Sequence, residues 1–192
     1  MSDPIASAAQ RFHADIARSA APRSNHRKTL LMTSHPYSQL VCYKQWADRG
    51  LYEVVGQNLA RLDTQDAAIL LRILDHIHVV DKIFQHHLKG LSHAFDAPRS
   101  EVIPDFESLM DGVSEVDNWY TAYVSNLAEQ DFAQPIDFVF TNGAAARMRL
   151  GEIILHVCLH GTYHRGSAGI VLQKNGIAPN SDRMTDFLET AA

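Results

Sequence analysis

"LGEIILHVCLHGTYHRGSAGIVLQKNG", residues 150–176, carries three histidines four residues apart inside a largely apolar run. Each residue of an α-helix advances about 100°, so His156, His160 and His164 fall within roughly 80° of one another on one face. Ile153, Val157, Ile170 and Val171 recur at helical spacing, and Asn175-Gly176 with Pro179 beyond predict where the helix stops. Gly161, Gly166 and Gly169 each work against a helix by about 1 kcal/mol relative to alanine. They also allow a neighbouring backbone or ligand to come close. The segment reads as a long helix with a histidine stripe, and the pair His160/His164 has the i, i+4 spacing that points two imidazoles at one ion.

The same periodicity appears three more times. Leu40, Tyr43, Trp46, Ala47, Leu51, Val54, Val55 and Leu62 outline a first amphipathic helix from Tyr37. Asp63 to Asp66 caps a second, with an apolar line through Ile69, Ile73, Ile77, Val80, Phe84 and Leu88 before Gly90. After a loop holding Pro98 and Pro104, a third helix starts near Asp105 and carries Phe106, Leu109, Met110, Val113, Val116, Tyr120, Tyr123 and Leu127 inward. Ile136, Phe138 and Phe140 then alternate ahead of Asn142-Gly143, a two-residue turn signal, so a small β-hairpin is expected before the fourth long helix. Four such helices with one hairpin insert describe an all-α four-helix bundle. Residues 1–34, rich in Ala and Ser with weak periodicity, read as an N-terminal extension to a bundle domain over 35–192. "IASAAQRFHADIARSA" (5–20) is the one candidate helix in the extension.

Composition narrows the function classes. The chain has 192 residues, enough for one domain with a real core, and a net charge of −5 with Lys and Arg scattered singly. That leaves no basic footprint for nucleic acid. No apolar run reaches the roughly 18 residues of a membrane span, and the N-terminus lacks the order of a signal peptide, so a cytoplasmic protein is expected. Cys42 and Cys158 lie in different predicted helices and read as reduced core thiols. Histidine is the outlier: there are 11, five of them within residues 76–93.

Bundles build metal sites from facing helices, so the His160/His164 pair needs a ligand from another helix. His76, three residues after Ile73 and four before Val80, lies on the buried stripe of the second helix, whereas His78 points roughly 200° away. His87 shares that stripe but sits about 16 Å further along the axis. Only one of His76 and His87 can share an ion with the pair.

"YKQWADRGL" (43–51), "LDHIHVVDKIF" (74–84), "HVCLHGTYHRG" (156–166) and "LQKNGIAPNSDRMTDFL" (172–188), in that order, resemble the DinB family of putative metalloenzymes over about residues 37–190. The resemblance implies an up-down-down-up bundle whose metal is held by one histidine of helix two and an H-x-x-x-H pair of helix four, here His76, His160 and His164. It places His156 near the ligands rather than among them. Two departures stand out: Ser167 occupies a position where relatives commonly have Gln, and the extension before Tyr37 has no counterpart, Met32 being a natural start for a shorter core.

Three neutral imidazoles leave a divalent ion, zinc or nickel, with its full charge and an open position, the pattern of catalytic sites. By the same resemblance the expected activity is that of a thiol-dependent transferase or isomerase, working with a low-molecular-weight thiol such as glutathione, bacillithiol or mycothiol on a small electrophile. A hydrolase using metal-bound hydroxide and a non-enzymatic, stress-linked metal-binding module are the alternatives. Arg165 is a candidate to bind a carboxylate of thiol or substrate, or else to pair with an acid of a neighbouring helix. Tyr163 is a candidate hydrogen-bond donor at the metal. Asp75 and Asp81 are expected to face solvent. A homodimer is expected from the apolar hairpin and from helix faces more apolar than one core requires.

Overall fold

The computed structural model describes residues 35–191. The N-terminal extension, with its candidate helix, lies outside the described residues. Five helices and one hairpin follow in order: α1 (Pro36–Asn58), α2 (Thr64–Leu88), α3 (Phe106–Ser125), β1 (Pro135–Val139), β2 (Ala145–Arg149), α4 (Leu150–Lys174) and α5 (Met184–Ala191).

The helix starts follow capping chemistry. Pro36 opens α1 with its ring preset for a first turn, while Asp63 and Asp105 accept from the backbone N–H of Asp66 and Ser108, each at 2.8 Å. At its other end α4 closes on Gly176, which takes φ +68°, so that Gly176 N–H reaches the Gln173 carbonyl and Ile177 N–H the Leu172 carbonyl. This satisfies carbonyls that the helix end would otherwise leave open, and buries Ile177. The short α5 was not anticipated. Eight residues carry too little periodicity to announce a helix, and Phe187 packs it against Tyr43 and Trp46 at ring separations of 6.0 and 5.9 Å.

The packing is up-down-down-up. Each of α1 and α2 packs against both α3 and α4. Lys44 meets Asp117 while Tyr52 meets Phe106, so α1 and α3 run antiparallel. His78 lies against Gly112 and Lys89 over the Trp119 ring, so α2 and α3 run parallel. Asp66 meets Lys174 and Phe84 meets His156, which makes α2 and α4 antiparallel. Parallel neighbours need a long connection, which residues 89–105 supply between α2 and α3; residues 126–149, with the hairpin, join α3 to α4 across the bundle.

The hairpin forms as expected between Pro135 and Arg149, with Phe138 buried against Phe84 and His87. Its turn differs. The ladder closes around Thr141, Asn142 and Gly143, and Gly143 N–H reaches the Phe140 carbonyl. Only Gly143 takes a positive φ, +85°, so Asn142 stays in the ordinary region and a three-residue loop with a glycine bulge replaces the two-residue turn.

The core runs through Leu51, Val55, Leu70, Leu74, Leu109, Val116, Ile153, Ile154 and Leu172. Each buried leucine or isoleucine contributes on the order of 1.5–3 kcal/mol. Three sequence expectations shift here: Ile69 is 42% exposed, Met110 39% and Ile170 66%. Because α2 packs on two helices, its buried face rotates one residue toward Leu70 and Leu74.

The same rotation overturns the solvent-facing reading of Asp75 and Asp81, both of which are fully buried. Asp81 belongs to an ionic cluster at the bundle centre. Lys44 Nζ lies 2.8 Å from Asp48, 2.7 Å from Asp81 and 2.6 Å from Asp117, while Arg165 bonds Asp48 at 3.0 Å and Asp182 at 2.8 Å. The Tyr43 hydroxyl also donates to Asp182. Gly161 makes room for this arrangement, since a Cβ there would sit 3.0 Å from Arg165 Nη1 and 3.6 Å from Lys44 Cε.

Four carboxylates around two cations cannot all be ionised cheaply in a buried site. Burial is the largest influence on Asp81 and Asp117 and outweighs Lys44, lifting Asp81 to about 6 and Asp117 to about 8. Asp48, held by both Lys44 and Arg165, goes the other way despite its burial. The folded chain therefore keeps protons that the unfolded chain has already released, and loses stability as pH rises from the ordinary carboxylate range through about 8. The melting temperature, followed by circular dichroism, is expected to fall between about pH 6 and about pH 9. Asp117→Asn, which cannot ionise but still accepts from Lys44, is expected to flatten that fall. A melting temperature that rises over this range, or an unchanged slope in the variant, contradicts the assignment.

Candidate metal centre

The antiparallel contact of α2 and α4 brings His76 opposite two successive turns of α4. The Nε2 of His76 lies 3.0 Å from that of His160 and 3.2 Å from that of His164, and all three ligand atoms lie within 4.8 Å of one another. Tetrahedral bonds of about 2.0–2.1 Å place neighbouring nitrogens about 3.3 Å apart, so the three imidazoles fit a single ion. Among the described residues this is the one group of three or more His, Cys, Asp or Glu side chains so arranged.

Protonation supports the same reading. His76 Nδ1–H donates to the Pro98 carbonyl at 2.5 Å, which leaves the lone pair of Nε2 turned toward the cluster. Burial, reinforced by His164 and His76, pushes His160 down to about 3, and burial with His76 lowers His164. Both stay neutral, as metal ligands must.

Pro98 reaches His76 because the loop after α2 is stapled to that helix. Asp75, buried beside His76, accepts from Ser100 N–H at 3.0 Å and from Arg72 at 2.8 Å, and Arg72 donates onward to the Ser100 carbonyl at 2.5 Å. A groove of about 460 Å³ opens between this loop and the histidines, lined by Arg72, Ile73, Ala97, Pro98 and Arg99 along with His76 and His164. A second cleft, of about 320 Å³, lies between α1 and α3 over Asp117 and includes none of the histidines.

Other sequence candidates lie apart from the cluster. Arg165 is buried with its guanidinium on Asp48 and Asp182, facing α1. Tyr163 is 73% exposed, its ring edge-on to His164 at 5.0 Å. His156 lies against Phe84 and roughly parallel to His160 at 5.7 Å, outside the ligand group. His87 stacks on Phe138 at 4.6 Å, and burial first, then His93 and His86, push it down to about 4. Ser167 bonds back to the Tyr163 carbonyl within its own helix. Cys158 is a buried thiol pushed up to about 12 by burial.

Two parts of the surroundings escaped the sequence reading. The Asp75–Arg72–Ser100 staple joins residues with no shared pattern. The Lys44 cluster left a trace: Lys44 sits in line with Leu40, Ala47 and Leu51, and Asp81 with Leu74, Ile77 and Phe84, so each is a charge on an apolar stripe.

Compared with known proteins, the chain matches a family model described as the DinB family over residues 28–192, a span that contains all three histidines and begins before both Tyr37 and Met32, so the end of the extension does have a family counterpart. No curated protein and no solved structure matches it.

His160→Ala is expected to strip a bound divalent ion from purified protein, measured by elemental analysis against about one ion per chain. His87→Ala is expected to leave the content unchanged. Full occupancy in the first variant, or an empty site in the second, would remove the His76/His160/His164 assignment.

Proposed function

Since the chain belongs to the DinB family, we propose that His76, His160 and His164 hold a divalent ion, zinc or nickel, in a thiol-dependent transferase or isomerase. The convergence of three Nε2 atoms beside an open groove carries this reading. An ion bound by neutral imidazoles supplies uncompensated positive charge and an open position at which a thiol loses its proton.

The chain's residues favour a thiol over water as the nucleophile. Among the described residues no carboxylate lines the groove, so none of them serves there as a carboxylate general base. Activation falls to electrostatics alone. A thiol with a pKa near 8.5 needs a far smaller shift to ionise at neutral pH than water near 15.7. The Pro98 carbonyl fixes the ring of His76, and the buried environment keeps His160 neutral. In this reading Arg165 braces the ligand helix against α1 rather than meeting substrate. Tyr163, edge-on to His164 at 5.0 Å, lies on the exposed outer face of α4 and does not line the groove.

The test is a titration of cobalt-substituted protein with glutathione, bacillithiol and mycothiol, watched for a sulfur-to-metal charge-transfer band. A band that is absent from His164→Ala, together with thiol-dependent conversion of a small electrophile lost on metal removal, is expected. No band with any thiol, alongside hydrolysis of esters or amides without thiol, would put a hydrolase in its place.

The proposed assembly is a homodimer. Leu159, Tyr163 and Ile170 are 65, 73 and 66% exposed on the outer face of α4, while the opposite face fills the core. A helix apolar on both sides is a helix with a second surface to bury. Light scattering is expected to give a dimer mass, and Ile170→Glu a monomer of unchanged helicity. A monomer at micromolar concentrations in the wild-type protein would end this proposal.

A further inference from the structure

We propose that the groove beside the histidines is a subsite for a small organic carboxylate, with Arg99 as the residue that anchors it. The proposal rests on the reading of His76, His160 and His164 as the reactive centre and adds the class of molecule that reaches it.

The groove holds two arginines in different states. Arg72 is engaged: it is paired with the buried carboxylate of Asp75 and bonded to the Ser100 carbonyl. Arg99 is exposed and has no ion-pair or hydrogen-bond partner among the described residues. No acidic side chain among the described residues lines the groove, although the chain as a whole carries a net charge of −5. The groove is thus a positive spot on an acidic protein, and a divalent ion at the histidines would deepen it.

Arg99 is also held in place by its neighbours. On one side the Pro98 carbonyl accepts from His76, and on the other Ser100 bonds through both its N–H and its carbonyl to Asp75 and Arg72. The backbone is therefore pinned to α2 immediately before and after Arg99, which leaves only the side chain to order when an anion binds. One free guanidinium presents a planar fork of donors matching a carboxylate in two parallel hydrogen bonds. The rest of the surface, Ile73, Ala97 and Pro98, offers no further donor side chain and suits a hydrocarbon stem. The fitting ligand has a carboxylate at Arg99, an apolar segment over Ile73 and Pro98, and its reacting end toward His76 and His164.

The experiment uses the full-length chain, freed of metal and without thiol, titrated calorimetrically at low salt with benzoate, benzamide and phenyl phosphate. Benzoate is expected to bind about tenfold or more tightly than benzamide, and to weaken about tenfold in Arg99→Ala, in keeping with loss of a charge-assisted pair. Arg99→Lys, which keeps the charge without the fork, is expected to fall between. Amide NMR shifts on benzoate addition should centre on Ala97, Arg99 and Ser100. Equal affinity for benzoate and benzamide, or unchanged binding in Arg99→Ala at unchanged melting temperature, would overturn the subsite. Phenyl phosphate binding more than about tenfold tighter than benzoate would overturn the carboxylate assignment. Because the titration needs neither metal nor thiol, its failure leaves the cobalt–thiol result standing, and the reverse holds as well.

Discussion

One ammonium group organises this bundle. Lys44 is 1% exposed, and its Nζ touches carboxylates from α1, α2 and α3, while one of those carboxylates, Asp48, passes the contact on to Arg165 of α4. Apolar helix faces tolerate sliding by part of a turn at modest cost, since leucine against leucine is nearly as good one position along. Charge-assisted contacts of 2.6–3.0 Å in a buried site do not, because a displaced helix would leave a charge without a partner. The ionic cluster therefore fixes the axial register of all four helices. The register of α4 in turn decides whether His160 and His164 come opposite His76 or miss it by a turn.

The histidine cluster stands on this frame with a support of its own. Two ligands come from adjacent turns of one helix and need no loop to place them. The third depends on the connection after α2, where Asp75, Arg72 and Ser100 hold Pro98 against the ring of His76. The two sides of the site differ in consequence. On the α4 side, His160 Nδ1 is buried with no hydrogen-bond partner among the described residues, so packing rather than a hydrogen bond at Nδ1 orients that ring. On the α2 side a hydrogen bond sets both the orientation and the tautomer.

The sequence made the bundle and its ligands legible for a simple reason: both are periodic. Apolar residues at helical spacing identify long helices wherever they lie, and His160/His164 form a local pair whose geometry follows from one helix. Assigning His76 over His87 needed the resemblance as well, because both sit on one stripe. What stayed hidden was non-local. Asp75 and Asp81 read as solvent-facing, whereas a carboxylate can be buried once Lys44 or Ser100 N–H lies opposite; Arg72, three residues before Asp75, is a local partner, but Lys44 and Ser100 are distant in sequence and nothing beside either aspartate announces them. Ile69 and Ile170 erred the other way, since an isoleucine at helical spacing says which faces are apolar but not which of two faces meets the core. The turn at Asn142-Gly143 shows a third limit: the dipeptide permits a two-residue turn, and the chain uses only the glycine for a left-handed residue.

The up-down-down-up order also bears on how the chain reaches this state. A bundle whose consecutive helices all pair as antiparallel neighbours assembles from contacts close in sequence, and such folds form quickly. Here the contacts that lock the centre join Lys44 to a residue 73 positions away and Asp48 to one 117 positions away. The loops that they close carry a large entropic cost before any attraction is gained. The Lys44 ammonium is expected to stay solvated until α2 and α3 bring Asp81 and Asp117 to replace its water, which would make the ionic centre a late event in assembly. Folding slower than that of a bundle built from sequence-adjacent pairs is the expected kinetic counterpart of a core whose positions are fixed by charge.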